Sequence, residues 1–91
     1  MTIDSYANAV FSDHALSQMV RRGIDRKIAE DVLEGPQQVL EVRPGRVVLQ
    51  SRFVVEGKEQ LFRVFVDVDE IPKRVVTVYR TTKIDKYWRE P

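Results

Sequence analysis

The sequence contains no cysteine and only one histidine, and each scarcity removes a class of site. Without cysteine the chain has no disulfide framework and no thiolate nucleophile. A zinc site built from protein side chains needs several ligands at short spacing, and the sequence does not cluster them. We therefore expect no metal ion and no cofactor in this protein.

Long apolar runs and a strong charge of one sign are also missing. No stretch approaches the roughly 18 apolar residues of a membrane-spanning helix, and residues 1–11 lack a basic segment followed by an apolar one. We therefore expect a cytoplasmic protein that does not bind a membrane. The 15 basic and 14 acidic residues leave a net charge of +1, so a nucleic acid would have to bind a local patch.

What is present fits one folded domain that is rich in arginine. The 91 residues are 43% hydrophobic and 32% charged, as in ordinary globular proteins. We assign residues 1–91 to a single domain, with residues 1–10 as a poorly ordered segment or short lead-in and residues 82–91 as a C-terminal tail. Trp88 in this tail is expected to pack as an anchor. Most of the basic residues are Arg, which binds phosphate in a bidentate manner.

Two short helices are predicted in the first part of the chain. Ser12 is a typical N-cap, and apolar residues follow it at helical spacing until Gly23. Asp25 can cap a second apolar stripe, which ends at Gly35 and Pro36.

From residue 37 the apolar period changes to two and β-branched residues become frequent, which predicts strands. The predicted strands are residues 38–43, 46–55, 59–68 and 74–81. Their short connections favour antiparallel hairpins. We therefore expect an α+β fold in which two N-terminal helices pack on one face of a four-stranded antiparallel sheet, in the order α-α-β-β-β-β.

Alternation along the strands sorts their residues into two faces. The apolar set, expected beneath the helices, contains Val47, Leu49, Phe53, Val55, Phe62, Val64, Val66, Val68, Val76 and Val78. The mixed set contains Val48, Gln50, Arg52, Val54, Leu61, Arg63, Phe65, Asp67, Val75, Thr77, Tyr79 and Thr81.

The first candidate site is a polar stripe on the first helix. Gln18 lies about 40° from His14 around the helix, and Arg21 lies about 20° from it on the other side. In the first turn, free backbone N–H groups attract anions and disfavour an imidazolium. A neutral imidazole beside arginines suits proton abstraction from a hydroxyl next to a phosphate. An ordinary solvated stripe has the same pattern, so both interpretations remain open.

The second candidate site is the mixed sheet face. Arg52 and Arg63 can bind phosphate, Phe65 or Tyr79 can stack on a base, and Thr77 or Tyr79 can donate a hydrogen bond. Near the end of the last strand, Arg80 and Lys83 can add a phosphate clamp. The solvated face of a one-sided antiparallel sheet has a similar composition, and this alternative also stays open.

Three segments resemble a known bacterial family. The run "HALSQMVRRGI", the later "VLEGPQQVL" and the terminal "VVTVYRT" are similar to the domain of unknown function 4258, over residues from Phe11 to about Thr82. The resemblance implies membership of the wider group of RelE-like and BrnT-like toxins. These are compact α+β proteins that cleave RNA without a metal ion, and many are neutralised by an antitoxin protein.

The resemblance also implies site residues. It matches four positions of this chain to the family site: His14, Arg22, Thr77 and Tyr79. Thr77 and Tyr79 would orient the phosphate or the leaving group. Gln18 departs from the family pattern, which usually has Arg at this position, and Arg21 one turn away can replace the lost charge.

The leading hypothesis is therefore a metal-independent endoribonuclease of toxin type. The ribose 2′-hydroxyl would attack the adjacent phosphodiester, with His14 as the first choice for general base or acid. The phosphorane charge would be stabilised by Arg22, Arg52 or Arg63. Expected partners are RNA, including mRNA on the ribosome, and an antitoxin protein. The alternative is a catalytically inactive module that binds a protein or RNA, and a homodimer is compatible with either.

Overall fold

The computed structural model describes residues 5–90, so residues 1–4 of the predicted lead-in and residue 91 of the tail lie outside it. The elements are β1 (Val10–Phe11), α1 (Asp13–Arg22), α2 (Arg26–Glu34), β2 (Gln38–Arg43), β3 (Arg46–Val55), β4 (Lys58–Asp67), β5 (Arg74–Thr81) and α3 (Ile84–Tyr87). The predicted α+β class is confirmed, and the four predicted strands agree with β2 to β5 within one residue.

Helices α1 and α2 begin and end at the residues that the sequence indicates. The Ser12 hydroxyl accepts a hydrogen bond from the Ala15 backbone N–H over 3.0 Å, and the Asp25 carboxylate accepts one from Lys27 over 2.9 Å. Gly23 takes a left-handed conformation with φ 63°, in which the Ile24 N–H bonds the Met19 carbonyl over 2.9 Å. Two helices thus fold back over the sheet with a single sharp corner between them.

The sheet has five strands, not four, and it is mixed, not antiparallel. Its order is β1-β5-β4-β3-β2, with β1 parallel to β5 and all other pairs antiparallel. The Val10 N–H bonds the Lys73 carbonyl over 2.8 Å and the Ser12 N–H bonds the Val75 carbonyl over 2.9 Å. A strand of two residues has no measurable alternation, which is why periodicity did not predict β1.

The core lies between α1, α2 and the apolar sheet face, with one correction to the predicted faces. Val75, which alternation assigned to the mixed face, is fully buried in this core, whereas Val76 is only half-buried. The ladder between β4 and β5 shifts register here, because Phe65 pairs with Thr77 but Val66 pairs with Val75. The extra residue in β5 is a bulge, and it reverses the parity of the residues before it.

The mixed sheet face is partly covered by the C-terminal tail. Helix α3 and the residues after it contact this face, where Tyr87 bonds Gln50 and Arg89 bonds Gln38. Val48, Gln50 and Leu61 of the same face are buried. Trp88 is half-buried with the Arg52 guanidinium 5.0 Å from its ring centre, which confirms the predicted packing of this residue. Among the helices of residues 5–90, none has the length and apolarity needed to cross a membrane.

Candidate functional site

The densest polar cluster of the mixed face surrounds Arg63. Its guanidinium bonds the Gln50 side-chain oxygen over 2.9 Å and donates a second hydrogen bond to the Tyr79 hydroxyl. It also lies 4.3 Å from the ring centre of Tyr87, 5.4 Å from that of Phe65 and 5.5 Å from that of Tyr79. We name these five residues the Arg63 cluster. A guanidinium among three rings is held in one orientation by hydrogen bonds and cation–π contacts.

Gln50 joins this cluster to the tail. Although it is fully buried, its amide nitrogen donates to the Gln38 side-chain oxygen over 2.7 Å and to the Tyr87 carbonyl over 3.1 Å. Gln38 in turn exchanges two hydrogen bonds with the backbone of Arg89, over 2.6 and 3.1 Å. A buried amide with every group satisfied is a specific restraint, so this network fixes Tyr87 above the sheet.

The two phenols of the Arg63 cluster have opposite electrostatic environments. Burial raises the pKa of Tyr79, although Arg63 acts against this effect. The polar interaction with the Tyr79 hydroxyl lowers the pKa of Tyr87, and the positive charges of Lys86 and Arg63 lower it further. Tyr87 is thus the phenol that loses a proton more readily, which is the property required of a general base.

Arg52, the other predicted phosphate ligand of the sheet, is engaged within the chain. Its guanidinium forms a bidentate pair with Glu59 over 2.8 and 3.2 Å, in addition to its contact with Trp88. The Arg52 side chain lowers the pKa of the Glu59 carboxyl by hydrogen bonding. Arg52 and the predicted residue Lys83 line a cleft of about 430 Å³ beside α3. A phosphate in this cleft would have to compete with Glu59 for Arg52.

Gln18 and Arg22 bind the edge of β5, not a solvent-filled site. The Gln18 side-chain oxygen accepts a hydrogen bond from the Val78 backbone N–H over 3.2 Å, and Arg22 donates to the Val78 carbonyl over 2.9 Å. Because β1 ends at Phe11, this part of β5 has no neighbouring strand on its outer side. The side chains of Gln18 and Arg22 supply the hydrogen bonds that a neighbouring strand would make to Val78, and Gln18 is buried there.

His14 and Arg21 are exposed on the flank of α1 that points away from α2. They lie about 160° and 140° around the helix from Leu16, which lines a cleft against α2. Within residues 5–90, neither side chain forms a hydrogen bond or ion pair. Neither residue lines the cleft beside α3 or the cleft of about 300 Å³ that Arg63, Tyr87 and Lys86 share.

The remaining predicted residues lie along and beyond β5. Thr77 is half-buried and pairs with Phe65 across the ladder, one alternation from Tyr79 on the same face. Arg80 is exposed near the end of α1, where one of its terminal nitrogens would lie 3.4 Å from a Cβ atom at Gly23. The structure therefore brings Arg63, Thr77 and Tyr79 to one region and leaves His14 on a separate flank.

Gln50 and Tyr87 hold the Arg63 guanidinium in place, one by a hydrogen bond and the other by a ring contact. Neither was among the predicted site residues. Alternation placed Gln50 on the correct face, but its hydrogen bonds to Arg63 and to the tail cannot be derived from spacing. Tyr87 lies in a four-residue helix that is too short for a periodic signal. The one available sequence signal is the Tyr87-Trp88 pair, since adjacent aromatic residues in a polar tail indicate packing.

The arrangement supplies a fixed cation, a phenol with a lowered pKa and an open cleft next to both. These groups can bind a phosphate and accept a proton from a nearby hydroxyl. In residues 5–90, no three His, Cys, Asp or Glu side chains are grouped where they could hold a metal ion.

Comparison with known proteins identifies one family. The family model described as "Domain of unknown function (DUF4258)" matches residues 11–80, which include α1, α2 and all of β2 to β5 except the last residue. No curated protein and no solved structure matches the chain. Because the family model covers well over half of the sequence, the chain belongs to the family DUF4258.

Proposed function

We propose that this protein is a metal-independent endoribonuclease of toxin type, in which a ribose 2′-hydroxyl attacks the adjacent phosphodiester. The observation that supports the proposal is the Arg63 cluster: a guanidinium held by Gln50 and Tyr79 beside a phenol of lowered pKa. The resemblance of the family to RelE-like and BrnT-like proteins points to the same chemistry.

In the proposed reaction Tyr87 is the general base: once it has released its own proton, its oxygen takes the proton of the 2′-hydroxyl. The 2′-oxygen then bonds the phosphorus while the bond from phosphorus to the 5′-oxygen breaks, which gives a 2′,3′-cyclic phosphate and a 5′-hydroxyl. Arg63 stabilises the added negative charge of the phosphorane. The Lys86 ammonium, 5.4 Å from the Tyr87 ring centre and in the same cleft, donates a proton to the leaving oxygen.

His14 remains the second candidate for general base or acid, because the family motif contains it. For this role the RNA must extend from the sheet face to the outer flank of α1, since His14 and Arg63 share no cleft described above. Arg21 and Arg80 can bind the backbone of an RNA along that path. Gln18 is buried and bound to Val78, so it does not reach an RNA on that path, whereas Arg22 is exposed and uses one guanidinium nitrogen for Val78.

The test is cleavage of a labelled RNA by purified protein in the presence of a metal chelator. We expect wild type to release a cyclic phosphate, and no product from an RNA with a single 2′-deoxy nucleotide at the cut site. Tyr87→Phe and Arg63→Ala should lower the rate by about 100-fold or more, as expected for loss of acid–base or charge-stabilising groups. Lys58→Ala, at the exposed start of β4, is the matched control.

Two results would overturn the proposal. One is intact RNA with folded wild-type protein over a wide range of concentrations. The other is unchanged cleavage by both folded cluster variants. If His14→Ala alone abolishes cleavage, the base is His14 and the cluster serves only to bind RNA.

A catalytically inactive binding module of the same fold is the second candidate function. It is favoured by the engagement of three polar side chains within the chain: Gln18 and Arg22 with Val78, and Arg52 with Glu59. RNA binding without cleavage in the same assay would support this function. Ribosome-bound mRNA as substrate, an antitoxin partner, a homodimer and a cytoplasmic location belong to the same set of proposals.

A further inference from the structure

A second surface, away from the Arg63 cluster, lies between the N-terminal segment, α1 and α2. It contains a cleft of about 410 Å³ with an apolar floor formed by Phe11, Leu16 and Leu33. Val10 at its margin is 52% exposed, and Val20, one turn after Leu16 on the same flank of α1, is 83% exposed. We name this surface the helical groove. Its apolar strip extends along α1 beyond the cleft itself.

The rim of the helical groove is acidic. Glu30 and Glu34 of α2 line the cleft, and Asp13 lies about 60° from Leu16 on the same flank of α1. The single basic residue of the lining, Arg26, is already bound: it pairs with Glu30 over 3.2 Å and lies over the Phe11 ring at 4.9 Å. Within the described chain Glu34 and Asp13 have no ion-pair partner.

The two flanks of α1 therefore differ in character. Leu16 lines the cleft, Val20 and Asp13 lie within about 60° of Leu16 around the helix, and His14 and Arg21 lie on the opposite flank. An apolar strip with acidic edges repels a phosphate backbone and attracts a positively charged polypeptide. The helical groove thus selects a different class of ligand from the one proposed for the sheet face.

We propose that the helical groove binds a basic amphipathic helix of a partner protein. Apolar side chains at spacings of three and four residues would enter the cleft and cover Val20, and Lys or Arg side chains beside them would pair with Glu34 and Asp13. Helix-in-groove recognition of this kind uses an apolar floor with charged margins.

A second copy of this chain fits the helical groove less well. Within residues 5–90, the exposed large apolar residues other than Val10 and Val20 are single side chains on strands and a turn: Val39, Val42, Val54 and Ile71. None belongs to a helix, so a second copy could offer a helix only through α1, whose Val20 is already part of the groove. The proposal does not rest on ribonuclease activity, so either can fail alone.

The test is a selection from a displayed library of 18-residue peptides that carry leucines at helical spacing and random residues beside them. The target is wild-type protein, and Leu16→Glu protein is used for counter-selection. A selected peptide is then labelled, and its affinity for each variant is measured by fluorescence anisotropy at two salt concentrations. Val20→Lys and Glu34→Lys alter exposed positions that folding does not need, and Arg21→Glu on the opposite flank is the matched control.

We expect the selected peptides to be rich in Lys and Arg. Val20→Lys should weaken binding by about tenfold, because an apolar contact is replaced by a charge that repels a basic peptide. Glu34→Lys should weaken it by about threefold or more at low salt and by less at high salt. Arg21→Glu should bind like wild type.

Three results would overturn the proposal. The first is a library without enrichment over the Leu16→Glu protein. The second is an acidic or neutral consensus, or a peptide whose affinity is the same for Val20→Lys and Glu34→Lys as for wild type. The third is a wild-type dimer in sedimentation that Val20→Lys converts to monomer, which would assign the helical groove to a second copy.

Discussion

Gln18 accepts a hydrogen bond from the backbone N–H of Val78, and this contact joins the middle of α1 to the open edge of β5. The sequence pattern placed Gln18 in a candidate polar stripe, but the amide is buried and its oxygen accepts a hydrogen bond from the strand. We therefore expect the loss of the Gln18 amide to lower the free energy of unfolding.

Gln18→Leu should lower the free energy of unfolding by about 1 to 3 kcal/mol, because the Val78 N–H would lose its partner in a buried place. Urea unfolding at neutral pH measures the change. Ser17→Leu, the same kind of substitution at the exposed neighbouring position, should stay within about 0.5 kcal/mol of wild type. Equal losses for both variants would contradict the structural role of Gln18.

Alanine substitutions of Arg22 and Arg21 should lower the free energy of unfolding by different amounts in the same experiment. Arg22→Ala removes the donor to the Val78 carbonyl and should cost about 1 kcal/mol of stability. Arg21→Ala removes an exposed guanidinium without a partner in residues 5–90 and should cost less than about 0.5 kcal/mol. An RNA-binding assay of the folded variants should show the reverse order, with the larger loss for Arg21→Ala.

Asp67 should make stability depend on pH in the acid range. Its carboxylate accepts hydrogen bonds from Arg46 over 2.6 and 3.1 Å, and this pairing lowers the pKa of Asp67 in the folded state. A lowered pKa contributes stability that is complete above the ordinary carboxyl range and is lost as the pH falls through the folded-state value. Asp67→Asn should therefore be less stable than wild type by about 1 kcal/mol at pH 7.

That difference should shrink toward zero when the carboxyl of wild type is protonated. Denaturant unfolding of both proteins from neutral pH to the acid limit measures it. Glu56→Gln, in the exposed β3–β4 turn, removes a carboxyl that has no ion-pair partner in residues 5–90, and it is the control. A constant difference between Asp67→Asn and wild type at every pH would mean that packing, not charge, is responsible.

Gln50→Leu should release the tail from the sheet. The substitution removes the acceptor of Arg63 and the donors to Gln38 and Tyr87, at a cost of about 1 to 3 kcal/mol. Since Trp88 is the single tryptophan, its emission should shift to longer wavelength as the ring becomes more exposed to water. Gln60→Leu on β4 is the matched control, and a Trp88 spectrum unchanged by Gln50→Leu would contradict the proposed restraint.

Local signals in the sequence predicted those parts of the fold that local chemistry determines. Ser12, Gly23 and Asp25 bound the helices because each satisfies or ends a helical hydrogen-bond pattern within a few residues. Features that depend on distant partners were not predicted. The bulge that buries Val75 exists only in the pairing of β4 with β5, and β1 is visible only through its bonds to β5.

Less of the candidate site than of the fold could be predicted, because most of its contacts join residues that are distant in the sequence. Alternation placed Arg63 and Tyr79 on one face, because strand geometry alone determines it. A polar residue in a helical pattern, however, does not reveal whether its partner is water or backbone, and Gln18 and Arg22 proved to bind backbone. Tyr87 reaches the cluster through a tail whose path no periodic signal describes.

The tail also makes the last residues of the chain necessary for the cluster. Gln38 and Arg89, which exchange hydrogen bonds, are 51 residues apart in the chain, and Tyr87 is separated from Gln50 by 37. A chain cut after β5 would keep β1 to β5, α1 and α2, but its Arg63 guanidinium would lack the ring of Tyr87 on one side. Proteolytic removal of residues 84–90 would therefore dismantle the cluster without removing any strand of the sheet.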